Sequence, residues 1–243
     1  MHGLLENIVA YKKYLVKNLE VKGERTRRIH RLKDYLNKSI NIIAEIKEKS
    51  PSAGHIKRID VRETVERYKR FASAISVLTD EKFFSGSFDR LRLVADMVDL
   101  PVLCKDFIID KKQIDLAYVN GADIVLLIVR ILDEKRLLSL FNYALSLGMD
   151  VLVEIHSSNE IPVALGLKKA IVGVNARDLD TLEVSLDRAK TLLKQIPAER
   201  IRVAESGIKT KQDIESLKPY CNAFLIGEAL LKNRLSFDET EVS

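Results

Sequence analysis

Short apolar runs rich in Val, Ile and Leu alternate with longer amphipathic stretches along the chain from about residue 40 onward. Short apolar runs are typical of buried strands, whereas apolar residues that recur near every 3.6 positions are typical of helices. The runs predict strands at residues 41–46, 74–79, 101–105, 123–129, 150–155, 170–175, 201–205 and 223–226. The stretches between them predict helices at residues 61–71, 87–98, 111–120, 133–147, 186–195 and 211–217. This alternation predicts a parallel sheet with right-handed crossovers.

The number of units decides between two folds that contain parallel sheets. Eight units of roughly 25 residues favour a closed (β/α)8 barrel over an open doubly wound sheet, which more often has five or six strands. Residues 1–40 add two predicted helices, at 4–19 and 26–37, with no strand between them. We therefore predict an α/β protein in which residues 1–243 form a single (β/α)8 TIM barrel domain, with residues 1–40 as an N-terminal helical extension over one end.

Composition narrows the function classes. The two cysteines, Cys104 and Cys221, are far apart in the sequence, which argues against a disulfide framework or a zinc cluster, and Cys104 is expected in the core. No two glycines stand as GxG, so the dinucleotide fingerprint and the Walker loop are both missing. The four histidines show no metal-ligand spacing and are expected on the surface or in loops. We therefore expect neither a cofactor nor a metal.

The charge balance argues for a small anionic ligand. Forty Lys and Arg against 35 Asp and Glu give a formal net charge of +5, and much of the excess lies in residues 22–31. Because this run lacks interleaved aromatic residues, we interpret it as a solvated helix face and expect no nucleic-acid partner. No apolar run reaches the roughly 18 residues of a membrane span, and residues 1–10 lack the apolar core of a signal peptide. We expect a cytoplasmic protein with no membrane partner, either a monomer or a weak homo-oligomer.

Charged or polar residues close several predicted strands, and active sites of such barrels lie at the carboxyl ends of their strands. These residues are Glu45, Lys47, Lys105, Glu154, Asn175, Arg177 and Glu205. Any one of them alone is more simply a solvated rim charge. Several inward charges are costly unless they are paired or used, so their joint occurrence favours a site that combines a cationic acid with an anionic base.

Two further features predict ligand contacts. Ser206-Gly207 and Gly227-Glu228 follow the seventh and eighth strands, where barrels commonly bind phosphate, although each glycine alone could be a turn former. Segment 50–54, beginning at Ser50, is interpreted as a flexible lid beside Lys47. Phe83 and Phe107 follow the second and third strands, where they could either stack on an aromatic ring or belong to the core.

Six segments resemble indole-3-glycerol-phosphate synthases, in order and across the whole chain. They are EIKEKSPS at 45–52, LCKDFII at 103–109, GADIVLLI at 121–128, LVEIH at 152–156, GVNARDL at 173–179 and AESGI at 204–208. Other phosphate-binding barrels of tryptophan and histidine synthesis do not share the EIKxKSPS and KDFI signatures. The resemblance implies a carboxy-lyase of tryptophan biosynthesis that needs no cofactor. Its substrate would be 1-(2-carboxyphenylamino)-1-deoxyribulose 5-phosphate, converted to indole-3-glycerol phosphate with loss of CO2 and water.

The resemblance also implies a role for each site residue. Lys105 would be the general acid, Glu154 the base, and Lys47 the group that holds a substrate anion and donates a proton in dehydration. Other groups would follow in three sets: Glu45, Asn175 and Glu205 as orienting groups, Ser206, Gly207, Gly227 and Glu228 as phosphate ligands, and Phe107, Ile128 and Leu179 as the anthranilate pocket. Glu228 stands where the family often has Ser, so its side chain is expected to point away from the phosphate. The alternatives are another sugar-phosphate isomerase or lyase, which needs no aromatic pocket, and a non-catalytic phosphate-binding scaffold.

Overall fold

A closed barrel of eight parallel strands forms the centre of the molecule. The computed structural model describes residues 3–50, 54–55 and 59–242. The barrel strands are β1 (Ile42–Ile46), β2 (Ala74–Leu78), β3 (Val102–Lys105), β4 (Ile124–Ile128), β5 (Asp150–Ile155), β6 (Ile171–Asn175), β7 (Arg202–Glu205) and β8 (Ala223–Ile226). Each pairs with its sequence neighbours, and β8 pairs with β1. The predicted (β/α)8 fold is confirmed, and each strand lies within one residue of its expected bounds.

Helices connect the strands on the outside of the barrel. They are α1 (Leu4–Lys17), α2 (Val61–Lys69), α3 (Glu81–Phe84), α4 (Phe88–Met97), α5 (Lys111–Val119), α6 (Glu134–Ser146), α7 (Ile161–Gly166), α8 (Leu186–Leu193), α9 (Lys211–Leu217), α10 (Glu228–Leu231) and α11 (Glu239–Val242). Asp60, Ser87, Asp133, Ser185 and Thr210 each cap a helix by accepting a backbone N–H at its first turn. The short helices α3, α7, α10 and α11 are too brief to show helical periodicity and were not predicted.

Alternate residues of each strand face two separate cores. Side chains such as Ile43, Leu103 and Leu152 fill the barrel interior, whereas Cys104 and its outward-facing counterparts pack against the helices. Because side chains alternate along a strand, Glu45, Lys105 and Glu154 continue the inward series one step above those apolar residues. The barrel thus changes from apolar to ionic toward the carboxyl ends of its strands. Cys104 is buried in the outer core, as predicted.

The second helix predicted in the N-terminal extension is wrong. Residues 18–31 contain no helix, and only a 3-10 turn at Leu32–Tyr35 follows them. Residues 25–32, which we call the basic strap, cross the end of the barrel where the strands begin. Arg25 donates to the carbonyl oxygens of Tyr118 and Ala122 and pairs with Asp123 at 2.6 Å. These tertiary bonds favour an extended backbone, so the run is not the solvated helix face that its charge suggested.

Helix α1 covers the opposite end, where the strands finish. Leu5 and Ile8 are buried on its inner face, and Lys12 continues that face one turn further along. The Lys12 ammonium lies 2.9 Å from Asp80 and 2.5 Å from Asp106, two carboxylates that follow β2 and β3. This buried ion pair fixes α1 on the barrel. Among the helices that the structure describes, none is long and apolar enough to span a membrane.

Candidate active site

A cavity of about 330 Å³ opens at the carboxyl end of the barrel. Charged groups from the strand ends form its floor, including Glu45, Lys105 and Glu154. Leu4, Leu5 and Ile8 of helix α1 form part of its wall. The cavity therefore combines an ionic floor with an apolar side, the arrangement expected for a ligand that carries both an aromatic ring and anionic groups.

Lys105 lies at the centre of a cluster of carboxylates. Its Nζ is 3.0 Å from Glu205 Oε2, 3.6 Å from Glu45 Oε2 and 4.0 Å from Glu154 Oε2. All four side chains are largely buried, Lys105 with 13% of its side chain exposed and the carboxylates with at most 4%. Four strand ends, β1, β3, β5 and β7, supply these groups, because alternate strands of a barrel contribute side chains to the same interior layer.

The cluster holds its members in different protonation states. Burial lowers the pKa of Lys105, but Glu205, Glu45 and Glu154 raise it more, so the ammonium is retained. Burial raises the pKa of Glu154, but His156 and Lys105 have the larger combined effect and lower the pKa to about 2. For Glu205 burial dominates and raises the pKa to about 7. The site thus combines a retained cation with two carboxyl groups, Glu154 and Glu205, whose pKa values are shifted in opposite directions.

Lys47 provides a second cation, at the edge of the floor. Its Nζ is 2.6 Å from Glu45 Oε1, and 19% of its side chain is exposed. Burial raises the pKa of Glu45, but Lys47 and Lys105 together bring it below its ordinary value. Glu45 therefore bridges the two lysines, with one oxygen toward each, and leaves the Lys47 ammonium accessible from the cavity.

Asn175, at the end of β6, connects the floor with the loop that follows it. It hydrogen-bonds Glu154 and accepts the backbone N–H of Arg177 at 3.0 Å. Arg177 in turn donates to the carbonyl oxygen of Leu182 at 3.0 Å, which closes the loop over the cavity. Leu179 and Leu182 of that loop line the cavity as well.

The loops after β7 and β8 meet in what we call the anion corner, formed by Ser206, Gly207, Gly227 and Glu228. Ser206 and Gly207 both have positive φ, 65° and 79°, and strain of this kind in a non-glycine residue is frequent at ligand sites. Glu228 is the first residue of α10, so its N–H has no partner within that helix. Its carboxylate accepts from Lys232 at 2.7 Å, which offsets the negative charge that made this residue unusual in the sequence.

Apolar side chains form one wall of the cavity. Phe107, Ile128 and Leu179 lie on it, together with Phe84 and the α1 leucines. Phe84 is the lining residue contributed by α3, whereas Phe83 makes an edge contact with the Tyr11 ring at 5.9 Å. Phe83, expected either to stack on an aromatic ring or to belong to the core, is turned toward helix α1 in the described structure.

Comparison with known proteins identifies the family. The family model described as indole-3-glycerol phosphate synthase matches residues 5–240. The chain belongs to this family. It is 42% identical over 242 residues to the indole-3-glycerol phosphate synthase of Sulfurisphaera tokodaii, covering 96% of this chain and 95% of the relative. The Exiguobacterium sp. protein of the same name is 47% identical over 200 residues, covering 81% of this chain and 79% of the relative.

A solved structure shares only the fold with this member of the indole-3-glycerol phosphate synthase family. It is described as "Native KDPGal structure" and has a TM-score of 0.53 at 14% identity, covering 76% of this chain and 82% of that chain. At such low identity the likeness concerns barrel architecture alone. Function must therefore be argued from the site and the family rather than from this neighbour.

The structure places most of the sequence-predicted residues of this family member around one cavity. The lining includes Glu45, Lys47, Lys105, Phe107, Ile128, Glu154, Asn175, Arg177, Leu179, Ser206, Gly207, Gly227 and Glu228. Glu205 lies beneath them, behind Lys105. Ser50 belongs to a short hairpin of Lys49–Ser50 with Gly54–His55, but its side chain and residues 51–53 lie outside the described residues, so the predicted lid has no structural description.

Some residues of the site carried no signal in the sequence of this family member. Lys12 and Asp106 pair across elements that are 94 positions apart, and only their joint burial reveals the contact. His156 and His30, expected on the surface or in loops, are both buried. His156 follows Glu154 by two positions, so strand alternation could have placed both on the inner side of β5. Among the described residues, no group of three or more His, Cys, Asp or Glu could hold a metal ion.

Proposed function

We propose that this chain catalyses ring closure of 1-(2-carboxyphenylamino)-1-deoxyribulose 5-phosphate to indole-3-glycerol phosphate, with loss of CO2 and water. The observation that carries the proposal is the Lys105 ammonium, held among three buried carboxylates at the floor of a cavity with an apolar wall and an anion corner. Membership of the indole-3-glycerol phosphate synthase family supports the same reaction.

The substrate would bind with its two ends apart. Its phosphate fits the anion corner, where backbone N–H groups and small residues allow close approach. Its anthranilate ring fits against Phe107, Ile128 and Leu179, and its carboxylate lies within reach of Lys47. An apolar surrounding favours loss of CO2 from a carboxylate, since the charge is poorly solvated there.

Lys105 acts as the general acid of ring closure. The aromatic carbon that bears the carboxylate attacks the ketone carbon, and the ketone oxygen takes the Lys105 proton as the new carbon–carbon bond forms. A developing alkoxide is more basic than an amine, so the raised pKa of Lys105 does not prevent the transfer. Departure of CO2 then returns the bonding electrons to the ring.

Dehydration completes the reaction. The former ketone oxygen leaves as water after it receives a proton from Lys47, and Glu154 accepts the proton lost from the ring system. Glu45 sets the position of both lysines, Asn175 orients Glu154, and Glu205 holds Lys105 in place. Each positioned acid or base typically contributes about 10² to 10⁴ in rate.

Indole fluorescence tests the proposal directly. The chain has no Trp, so purified protein gives little background at indole wavelengths. We expect fluorescence to appear when the protein meets the carboxyphenylamino-deoxyribulose phosphate. Product formation from sugar phosphates that lack the aryl group, with no signal from the aryl substrate, would instead favour another isomerase or lyase. Phosphate binding with no turnover of either would favour a scaffold.

We further propose that residues 1–243 act as one domain, with residues 1–40 as an extension that serves the barrel at both ends. Helix α1 supports this at the cavity, and the basic strap supports it at the opposite end. Two buried free thiols, Cys104 and Cys221, support a reducing, cytoplasmic location. The phosphorylated substrate is the expected partner, and we expect a monomer or a weak homo-oligomer.

A further inference from the structure

His156 is a buried ionisable group that the proposed reaction does not use. Its side chain is fully inaccessible, and each ring nitrogen faces a carboxylate oxygen. It is not one of the residues that line the cavity. Burial of a polar ring is costly unless its nitrogens are paired with other polar groups.

Two carboxylates flank the imidazole on its two sides. Nε2 lies 3.2 Å from Glu154 Oε1, and Nδ1 lies 3.9 Å from Glu160 Oε2. Glu160 also accepts the backbone N–H of His156, at 2.5 Å, which fixes the residue from behind. Arg130 reaches the other oxygen of Glu160 at 3.5 Å and so reduces the negative charge on that side.

The oxygen that His156 contacts is not the one that faces Lys105. Glu154 Oε2 is 4.0 Å from Lys105 Nζ, whereas Oε1 faces Nε2 of His156. Asn175 and Glu205, from β6 and β7, are the other groups near this carboxylate. His156 lowers the pKa of Glu154 more than Lys105 does.

We propose that His156 is the positioning residue of Glu154: its Nε2–H holds Oε1, leaves Oε2 free toward the cavity and keeps the carboxylate anionic. The inference rests on the proposed function, in which Glu154 is the proton acceptor. Glu160 would hold His156 from the side opposite Glu154, and Arg130 would in turn hold Glu160. A carboxylate fixed by one oxygen loses little freedom in the reaction, so its second oxygen stays aimed at the substrate.

Two substitutions test the hydrogen bond to Glu154. His156→Gln keeps an N–H donor at similar reach, and His156→Leu removes it. We expect the acid limb of the kcat profile to move to higher pH, by about 1 to 3 pH units in His156→Leu, because a hydrogen bond to the ionised form of a carboxyl group lowers its pKa. The shift in His156→Gln should be smaller. A merely structural role would lower stability or kcat without moving the limb.

His30→Gln is the matched control. His30 is also buried, but it lies in the basic strap near Arg27 and Asp123, at the opposite end of the barrel. Its substitution should leave the acid limb in place even where the melting temperature falls. A shift of the limb in His30→Gln equal to that in His156→Leu would overturn the proposal, since the effect would then not be local.

A readout without turnover keeps the inference separate from the proposed function. Carbon-13 NMR of the Glu154 carboxyl, assigned with Glu154→Gln, should titrate at higher pH in the His156 variants. In the wild-type protein, nitrogen-15 NMR should show a proton on His156 Nε2. This measurement needs no variant, so it remains possible if the His156 variants do not fold. An unprotonated Nε2 or an unchanged Glu154 titration sinks the proposal for His156, while absence of indole product in the wild type sinks only the proposed reaction.

Discussion

Gly173 and Gly227 leave space that two buried carboxylates occupy. A Cβ atom on Gly173 would lie 2.1 Å from Glu205 Oε1, and one on Gly227 would lie 2.6 Å from Glu45 Oε1. Gly227 was predicted from sequence to allow close approach of a phosphate. In the described structure a side chain at this position would also collide with Glu45 of the floor. The absence of a side chain at Gly227 therefore leaves room for the Glu45 carboxylate as well as for a ligand in the anion corner.

Substitution of Gly173 tests this constraint. In Gly173→Ala the new methyl group must displace the Glu205 carboxylate from Lys105, so we expect kcat to fall by about tenfold or more, as for misplacement of a catalytic group. Gly166→Ala is the matched control, since nothing lies within 4 Å of its Cβ position. The control should keep full activity and gain about 0.5 kcal/mol in stability. Equal kinetics in the two variants would contradict the argument.

Lys105→Ala tests the assignment of the general acid. Loss of the proton donor should lower kcat by at least about 10², with the circular dichroism spectrum of the folded barrel retained. The matched control is Lys69→Ala, which removes a partly exposed lysine that pairs with Glu66 on the surface of α2. Steady-state indole fluorescence supplies the rates. Near-wild-type turnover in Lys105→Ala would rule out this role.

At the scale of elements, α1 is both part of the fold and part of the site. Its apolar inner face lines the cavity, and Lys12 locks it to Asp80 and Asp106. Asp106 directly follows Lys105 and also accepts the Thr79 hydroxyl at 2.9 Å. The position of α1 is thereby tied to the strand end that carries the proposed acid, although the two are far apart in sequence.

Lys12→Met should loosen that connection. The substitution leaves two buried carboxylates without their cation, at a cost of about 3 to 5 kcal/mol in the free energy of unfolding. Because Leu5 and Ile8 move with α1, we expect KM for the aryl substrate to rise more than kcat falls. Lys13→Met, on the exposed side of the same turn, is the control and should change neither the free energy of unfolding nor KM. A lower melting temperature with unchanged KM would limit Lys12 to stability.

The elements also show where sequence reasoning succeeds. Runs of Ile, Val and Leu bounded by polar residues locate every barrel strand, because burial on both faces leaves little alternative. The helix predicted at 26–37 is wrong for a physical reason: the basic residues suggest a solvated helix, but Arg25 and Arg27 donate to carbonyl oxygens at the C-terminal ends of α4 and α5 and just beyond α5. Likewise, the strand ends predict Lys105 and Glu154, whereas strand periodicity does not predict the contact of Glu160 with the backbone of His156, which depends on the turn after β5.

In the whole molecule, the two ends of the barrel have different tasks. The carboxyl ends of the strands bear the cavity and its charges, whereas the opposite end is closed by the basic strap. Arg25 connects the strap to the barrel there: it donates to the carbonyl oxygens of Tyr118 and Ala122 and pairs with the fully buried carboxylate of Asp123. This division agrees with barrels in general, where the far face serves stability.

Arg25→Ala therefore should separate stability from catalysis. Removal of the guanidinium leaves the buried Asp123 carboxylate with the backbone N–H groups of His30 and Val102 and with two more distant basic side chains, Arg27 at 3.4 Å and His30 at 3.7 Å. We therefore expect a loss of about 3 kcal/mol from the free energy of unfolding. Since the cavity is built at the other end, kcat and KM at temperatures well below the transition should stay within about twofold of wild type. Chemical denaturation and the fluorescence assay on the same preparation measure both quantities. A proportional fall in kcat with stability would mean that the strap and the cavity are coupled through the apolar barrel interior, in which Leu32 of the strap is packed.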